Sequence, residues 1–141
     1  MIEAAGQHAM GQNTEEWCHL QYFTNVMADT PTFMISPGDR GHSRAAEVIE
    51  PMARLGRQVV AVVPEGDTLI APKAKYVMPV VGKVGELFSP MVYAIPSELF
   101  SAHLSDVVGN PPFRRPSEGR FAAYAGGNTI FTSVVNEGDG W

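Results

Sequence analysis

The most restrictive feature of this sequence is a run of consecutive apolar residues from Val59 to Val63. The run is bounded by Gln58 and Pro64 and is far too short to cross a lipid bilayer. A short, continuous, valine-rich run is typical of a strand inside a parallel sheet that is covered on both faces. The chain is therefore expected to fold around a buried parallel sheet.

Elements on either side of this strand favour the same fold class. Thr32–Ile35 and Tyr76–Val81 are further short apolar runs, and a helix is predicted between the first and second strands. Its apolar positions recur at helical spacing and are Ala45, Val48, Ile49, Met52 and Leu55. Pro51 is expected to kink this helix, and Gly56 to cap its carboxyl end. We expect an α/β fold with three layers.

Two more helices are predicted, one before the first strand and one after the third strand in the sequence. A helix over Glu15–Met27 follows Thr14, which is a plausible N-cap. A second helix begins at Ser89, contains Pro96 and ends at Gly109. The remaining tail is rich in proline, glycine and arginine and has little periodicity.

Composition and charge narrow the class of protein. At 141 residues, with 45% hydrophobic and 18% charged residues, the chain has room for one folded domain and is not a disordered tail. The net charge is -5 and the ten lysines and arginines are scattered, so nucleic acid is not an expected partner. No transmembrane run and no signal peptide is recognised, so the expected location is the cytoplasm.

Metal and cofactor sites receive little support from the sequence. The four histidines are far apart, and the single cysteine, Cys18, excludes a multi-cysteine metal site. The loop Pro37–Arg44 joins a strand to a helix and could hold an anion. It lacks a dinucleotide or triphosphate motif, so a tight turn is the favoured interpretation. No G-x-S-x-G motif for a hydrolase is present. We expect no metal and no organic cofactor.

Glu3, His8 and the run Glu16-Trp17-Cys18-His19 form the first pattern that resembles a known family. They are similar to the second half of a sugar isomerase (SIS) module, as in glutamine:fructose-6-phosphate amidotransferase and the fructosamine-6-phosphate deglycases. In that family a glutamate base precedes a histidine by sixteen residues, an interval that Glu3 and His19 keep. Taken alone, Glu16 and His19 are more often a solvated helix face.

A second pattern, Pro90-x-x-Tyr93-x-x-Pro96-x-x-Leu99-x-x-x-His103, resembles the penultimate helix of the same family. The strand, helix and strand that precede it also fall in the matching order. The family's amidotransferase branch ends with a lysine that meets the open-chain sugar, whereas the last lysine here is Lys83. This departure favours the deglycase-like branch.

The resemblance implies an SIS-type (flavodoxin-like) domain over residues 1–110, followed by a tail over residues 111–141. It implies a phosphosugar-binding part of an aldose–ketose isomerase or deglycase, acting on fructosamine-type sugar 6-phosphates. Glu3 and His19 would be catalytic, and His8, Glu16 and Arg120 would bind substrate. Glu3 would move a proton between C1 and C2, while His19 would assist ring opening.

Two alternatives remain at this stage. The family's Ser/Thr-rich phosphate loop is not found, and Ile2–Gly6 looks like the tail of a helix already under way, which suggests truncation at the amino terminus. The chain would then be a catalytically inactive sugar-phosphate-binding or dimerisation module, and a homodimer is expected in either case. A free-standing nucleotide or flavin binder is the weaker alternative.

Overall fold

Three parallel strands form the centre of the molecule. A computed structural model describes residues 1–24 and 30–110, apart from the side chain of Glu3. Within these ranges the strands are β1 (Pro31–Ile35), β2 (Gln58–Pro64) and β3 (Tyr76–Val80), in the order β1-β2-β3. The helices are α1 (Ile2–Ala5), α2 (Thr14–His19), α3 (His42–Arg54), α4 (Ser89–Tyr93) and α5 (Ile95–Val108).

The central strand β2 is the most buried segment. Its residues Val59–Val63 are each at most 7% exposed. They pair in parallel with both neighbours, so that Pro31 lies opposite Gln58 and Val60 lies opposite Tyr76. A strand with partners at both edges and cover on both faces has no side that needs polar residues. The predicted parallel sheet is confirmed.

Helix α3 covers one face of the sheet. Its buried residues pack against Val59, Ala61 and Val63 of β2. Pro51 lies inside the helix, where it lacks the N–H that would bond the carbonyl of Glu47. The helix ends in a Schellman motif, because the N–H of Gly56 (φ 80°) donates to Ala53 and that of Arg57 donates to Met52.

Helices α4 and α5 lie against the opposite face. Tyr93 of α4 is in one buried cluster with Val62 of β2 and Val80 of β3. Phe100 of α5 contacts Phe33 of β1 edge to face, with ring centroids 4.9 Å apart. Helices on both faces of a parallel sheet make the described part of the chain an α/β fold.

The helix predicted from Ser89 to Gly109 is divided in two. The break falls at Ala94, where α4 ends and α5 begins. Pro96 has no N–H to donate to the carbonyl of Val92, so one bond of a continuous helix is lost there. Gly109 ends α5 in the left-handed conformation (φ 65°), as expected.

Helix α2 is shorter than predicted. It begins one residue earlier, because Asn13 and not Thr14 is the N-cap and accepts from the N–H of Glu16 at 2.8 Å. It ends at His19, and Leu20 beyond it is 52% exposed. Only Trp17 of the helix is buried, so there is no continuing apolar face to extend it. Residues 25–29 of the predicted helix lie outside the described residues.

Two short elements complete the arrangement. Helix α1 packs against α5, and the side-chain amide of Asn110 donates to the carbonyl of Ala5 at 3.1 Å. Between β2 and β3, a 3-10 turn over Ala71–Lys73 packs on α3. No helix in the described ranges is long and apolar enough to cross a membrane.

Candidate functional site at the carboxyl edge of the sheet

Three polar side chains meet where the parallel strands end. Ser36 directly follows β1, Asp67 lies in the turn after β2, and His42 is the first residue of α3. The carboxyl ends of parallel strands share one edge of a sheet, which is the usual place for a binding site in this fold class. Residues that are far apart in the chain are thereby brought together.

These side chains form a continuous hydrogen-bonded chain. The hydroxyl of Ser36 lies 2.7 Å from Nδ1 of His42, and Nε2 of His42 lies 2.7 Å from Oδ2 of Asp67. These three hydrogen-bonded residues are largely buried, since the side chains of His42 and Asp67 are 12% and 5% exposed and Ser36 is 5% exposed. Both ring nitrogens therefore have a protein partner, and the ring orientation is fixed from both sides.

The carboxylate of Asp67 is held by the backbone as well. Its Oδ1 accepts from the N–H of Ile70 at 2.8 Å and from that of Ala71 at 2.7 Å. Burial works to raise the pKa of Asp67, but the bonds from Ala71, Ile70 and His42 outweigh it, so the pKa is lowered. Asp67 is an ionised carboxylate at neutral pH.

When His42 is neutral, the ionised state of Asp67 determines the direction of each hydrogen bond. An ionised carboxylate only accepts, so Nε2 of neutral His42 carries the hydrogen that is donated to Asp67. The other nitrogen, Nδ1, is then an acceptor, and the hydroxyl of Ser36 donates to it. The arrangement orients a hydroxyl proton toward a base.

An open cleft of about 430 Å³ lies beside the hydrogen-bonded residues Ser36, His42 and Asp67. Ser36 contributes to its lining, together with Thr14 and Glu15 from α2 and Arg40 and Arg44 from the amino-terminal side of α3. A volume of this size suits a small metabolite. The hydrogen-bonded chain thus borders a space that a ligand can enter.

The cleft is lined by two arginines that are paired with carboxylates, and Arg44 has two such partners, Glu15 and, at 2.9 Å, Glu47. Arg44 makes a two-pronged contact with Glu15, at 2.9 and 3.0 Å, and Arg40 lies 2.8 Å from Glu86. The hydrogen bond from Arg44 lowers the pKa of Glu15, although burial acts in the opposite direction. Both arginines are substantially exposed, so an anionic ligand could replace the carboxylates as their partner.

The residues predicted from the sequence lie elsewhere or outside the described residues. His8, Glu16 and His19 are exposed, and within residues 1–24 and 30–110 none of them has a side-chain hydrogen bond or ion pair. Glu3 belongs to helix α1, but its side chain is not among the described parts of the structure, and neither is any part of Arg120. The tail over residues 111–141 is also outside it.

Helices α1 and α2 pack on different partners. Helix α1 contacts α5, whereas α2 contacts α3, and α3 and α5 cover opposite faces of the sheet. Glu16 and His19 share α2, and the expected pairing of Glu3 with His19 stays a prediction. Cys18 is half-buried against the core beneath α3, which agrees with the packed thiol typical of a lone cysteine.

Sequence reasoning missed Ser36 and Asp67 and did not single out His42. The available signal was position: Ser36 follows a predicted strand, Asp67 follows the next, and His42 stands at the start of the helix between them. Spacing motifs do not detect such a set, because topology brings the residues together. Among the described residues, no cluster of three or more potential metal ligands occurs.

Comparison with known proteins adds no family assignment. No protein-family model matches this chain, and no curated protein matches it.

Proposed function

We propose that this chain is a phosphosugar-binding domain of the SIS type. It would act within an aldose–ketose isomerase or deglycase on fructosamine-type sugar 6-phosphates. The parallel sheet and the strand-helix-strand order of β1, α3 and β2 support this proposal, because the family has the same order. The observation that carries it is the cleft at the end of β1, which Arg40 and Arg44 line.

A phosphate group fits the hydrogen-bonding geometry of Arg44 in this cleft. The guanidinium of Arg44 already holds the carboxylate of Glu15 with two hydrogen bonds, the geometry that it would offer to a phosphate. Helix α3 begins between the two arginines, with its positive dipole end toward the loop. Binding would exchange Glu15 for the phosphate.

The chemical step is proposed for residues outside this cleft's lining. Glu3 would carry a proton between C1 and C2 of the open-chain sugar, and His19 would assist ring opening. His8, Glu16 and Arg120 would contact the substrate. We propose that the protein needs no metal or organic cofactor, does not bind nucleic acid and works in the cytoplasm as a homodimer.

The binding proposal predicts a thermal shift that depends on Arg44. Fructose 6-phosphate or a fructosamine 6-phosphate at a hundred times its Kd should add about 2.7 kcal/mol to the free energy of unfolding. For a domain of this size the melting temperature would rise by roughly 5 to 10 °C. The shift should be largely lost in Arg44→Gln, measured by differential scanning fluorimetry of the whole chain.

A matched control is available on the same helix. Arg54 also pairs with a carboxylate, that of Glu50, but stands in the last turn of α3. Arg54→Gln should keep the full shift, and unphosphorylated fructose should give none. If Arg44→Gln and Arg54→Gln respond alike, or if no sugar phosphate shifts the wild type, the cleft is not the binding site.

An apolar stripe favours a second candidate function, self-assembly. Met91, Ile95 and Leu99 follow at four-residue intervals along α4 and α5 and are 73%, 49% and 57% exposed. Apolar side chains grouped on one surface are typical of an interface, and a second copy of this chain is the occupant that we propose.

Self-assembly predicts a change in mass on substitution in this stripe. The wild type should sediment as a dimer, and Leu99→Asp should shift it to a monomer because a charge would be buried at the contact. Val81→Asp is the control, since Val81 is 74% exposed, follows β3 and lies outside the stripe. A monomeric wild type, or a dimer insensitive to Leu99→Asp, would contradict the assembly function.

A further inference from the structure

The hydrogen-bonded chain of Ser36, His42 and Asp67 has an order that the sugar-phosphate proposal does not use. A buried carboxylate orients an imidazole, and the neutral imidazole accepts the proton of the hydroxyl of Ser36, a residue that lines an open cleft. This order is the one in which a serine becomes a nucleophile. Such a site is recognised by geometry and roles and not by chain order or a G-x-S-x-G motif.

We propose that Ser36 is a nucleophile that accepts acyl groups from small anionic carboxylic esters. His42 is its general base, and Asp67 is the positioning residue that holds the imidazole. The proposal stands on the distances, the burial and the cleft. It does not depend on the binding of a sugar phosphate.

The bonds of the reaction balance with water as the only second reactant. The Oγ of Ser36 bonds to the acyl carbon while its proton passes to Nδ1 of His42. The ester C–O bond then breaks, and the leaving alkoxide takes the proton from Nδ1. Water attacks the acyl-serine through the same base, the acyl–Oγ bond breaks, and the proton returns to Ser36 as the carboxylic acid leaves.

Asp67 assists this reaction because His42 becomes positively charged when it accepts the proton of Ser36. The carboxylate stays ionised and lies 2.7 Å from Nε2, so it stabilises the imidazolium that forms when Ser36 loses its proton. The N–H groups of Ile70 and Ala71 hold that carboxylate in place. The base is therefore set in one orientation before a substrate arrives.

Burial and charge define the class of ester. Ser36 is only 5% exposed, which limits the acyl part to a small group such as acetyl. Arg40 and Arg44 line the same cleft and favour an alcohol part that carries a phosphate or carboxylate.

The first test is covalent labelling of the whole wild-type chain. A small fluorophosphonate and p-nitrophenyl acetate are the probes, and peptide mass spectrometry locates the adduct. We expect a single adduct on Ser36 and steady release of p-nitrophenol. Labelling at another residue, or no adduct on the folded chain, would overturn the proposal. This measurement needs no variant and is independent of sugar-phosphate binding.

Variants separate a reactive serine from a structural one. Ser36→Ala should abolish labelling, and Asp67→Asn should slow it by about 100-fold or more, because His42 would lose the tautomer that accepts from Ser36. Ser43→Ala is the matched control, since Ser43 is exposed and lies next to His42 without a base. Its labelling should equal that of the wild type. Equal rates in Asp67→Asn and the wild type would show that Asp67 does not position the base.

Discussion

Replacing Asp67 with alanine is expected to lower the free energy of unfolding by about 3 to 5 kcal/mol. The reason is the number of donors that would lose their acceptor: the N–H groups of Ile70 and Ala71 and the Nε2–H of His42. Ile70 is fully buried, so water cannot replace the carboxylate at its N–H without opening the core. Urea denaturation of the variant and the wild type would measure the loss.

Asp67→Asn is the control for this prediction. Its side-chain oxygen can still accept from both backbone N–H groups, so the expected loss is about 1.5 kcal/mol or less. Its amide donates to Nε2 of His42, which moves the ring hydrogen to Nδ1 and makes Ser36 the acceptor. A loss in Asp67→Ala no greater than that in Asp67→Asn would contradict the role assigned to the backbone bonds.

The same residue gives the sign of a pH effect. The pKa of Asp67 is lower in the folded state than in the unfolded chain, so its stabilising contribution is complete above the unfolded value, about pH 4. The contribution falls as the pH drops through the folded pKa. The stability difference between the wild type and Asp67→Asn should therefore shrink below about pH 4.

Replacing Gly38 with alanine is expected to destabilise the protein by about 2 to 5 kcal/mol, the sum of two costs. Gly38 has φ +88°, a conformation that L side chains rarely adopt. An added Cβ would also lie 2.9 Å from Cγ of Pro64, whose ring is closed on its own backbone and cannot swing away. Chemical denaturation measures the total.

Gly41→Ala separates the two costs. Gly41 lies in the same loop at φ +84°, but nothing lies within 4 Å of an added Cβ. Its replacement should cost about 1 to 2 kcal/mol, from conformation alone. The excess in Gly38→Ala then reports the contact with Pro64. Equal losses in the two variants would show that the loop moves freely away from β2.

The sequence predicted the sheet well because burial leaves a direct pattern. A strand covered on both faces must be apolar throughout, so Val59–Val63 was recognisable, and the helix before it showed its apolar face at regular spacing. Helix ends were less predictable. They depended on a single cap at Asn13 and on the hydrogen bond that Pro96 cannot make.

The candidate site was less accessible to the same reasoning. Serine and aspartate are common in ordinary turns, so the presence of Ser36 and Asp67 can be explained by turn formation alone. Their meaning comes from the parallel register that places Ile35 opposite Val62 and so aligns the ends of β1 and β2. No spacing rule encodes the contact between His42 and Asp67, which are 25 positions apart in the chain. The predicted pair Glu3 and His19 came from a resemblance, and the side chain of Glu3 lies outside the described residues.

The order β1-β2-β3 also has a consequence for how the chain assembles. Each strand pairs with the next one along the chain, so the loops that must close are short and the sheet can form early. Helix α1 packs instead on α5, at the far end of the described chain. The docking of α1 must close a long loop. It also requires a surface that exists only after α5 is in place. We expect α1 to gain protection from hydrogen exchange last, after the sheet and the turn around Asp67 have formed.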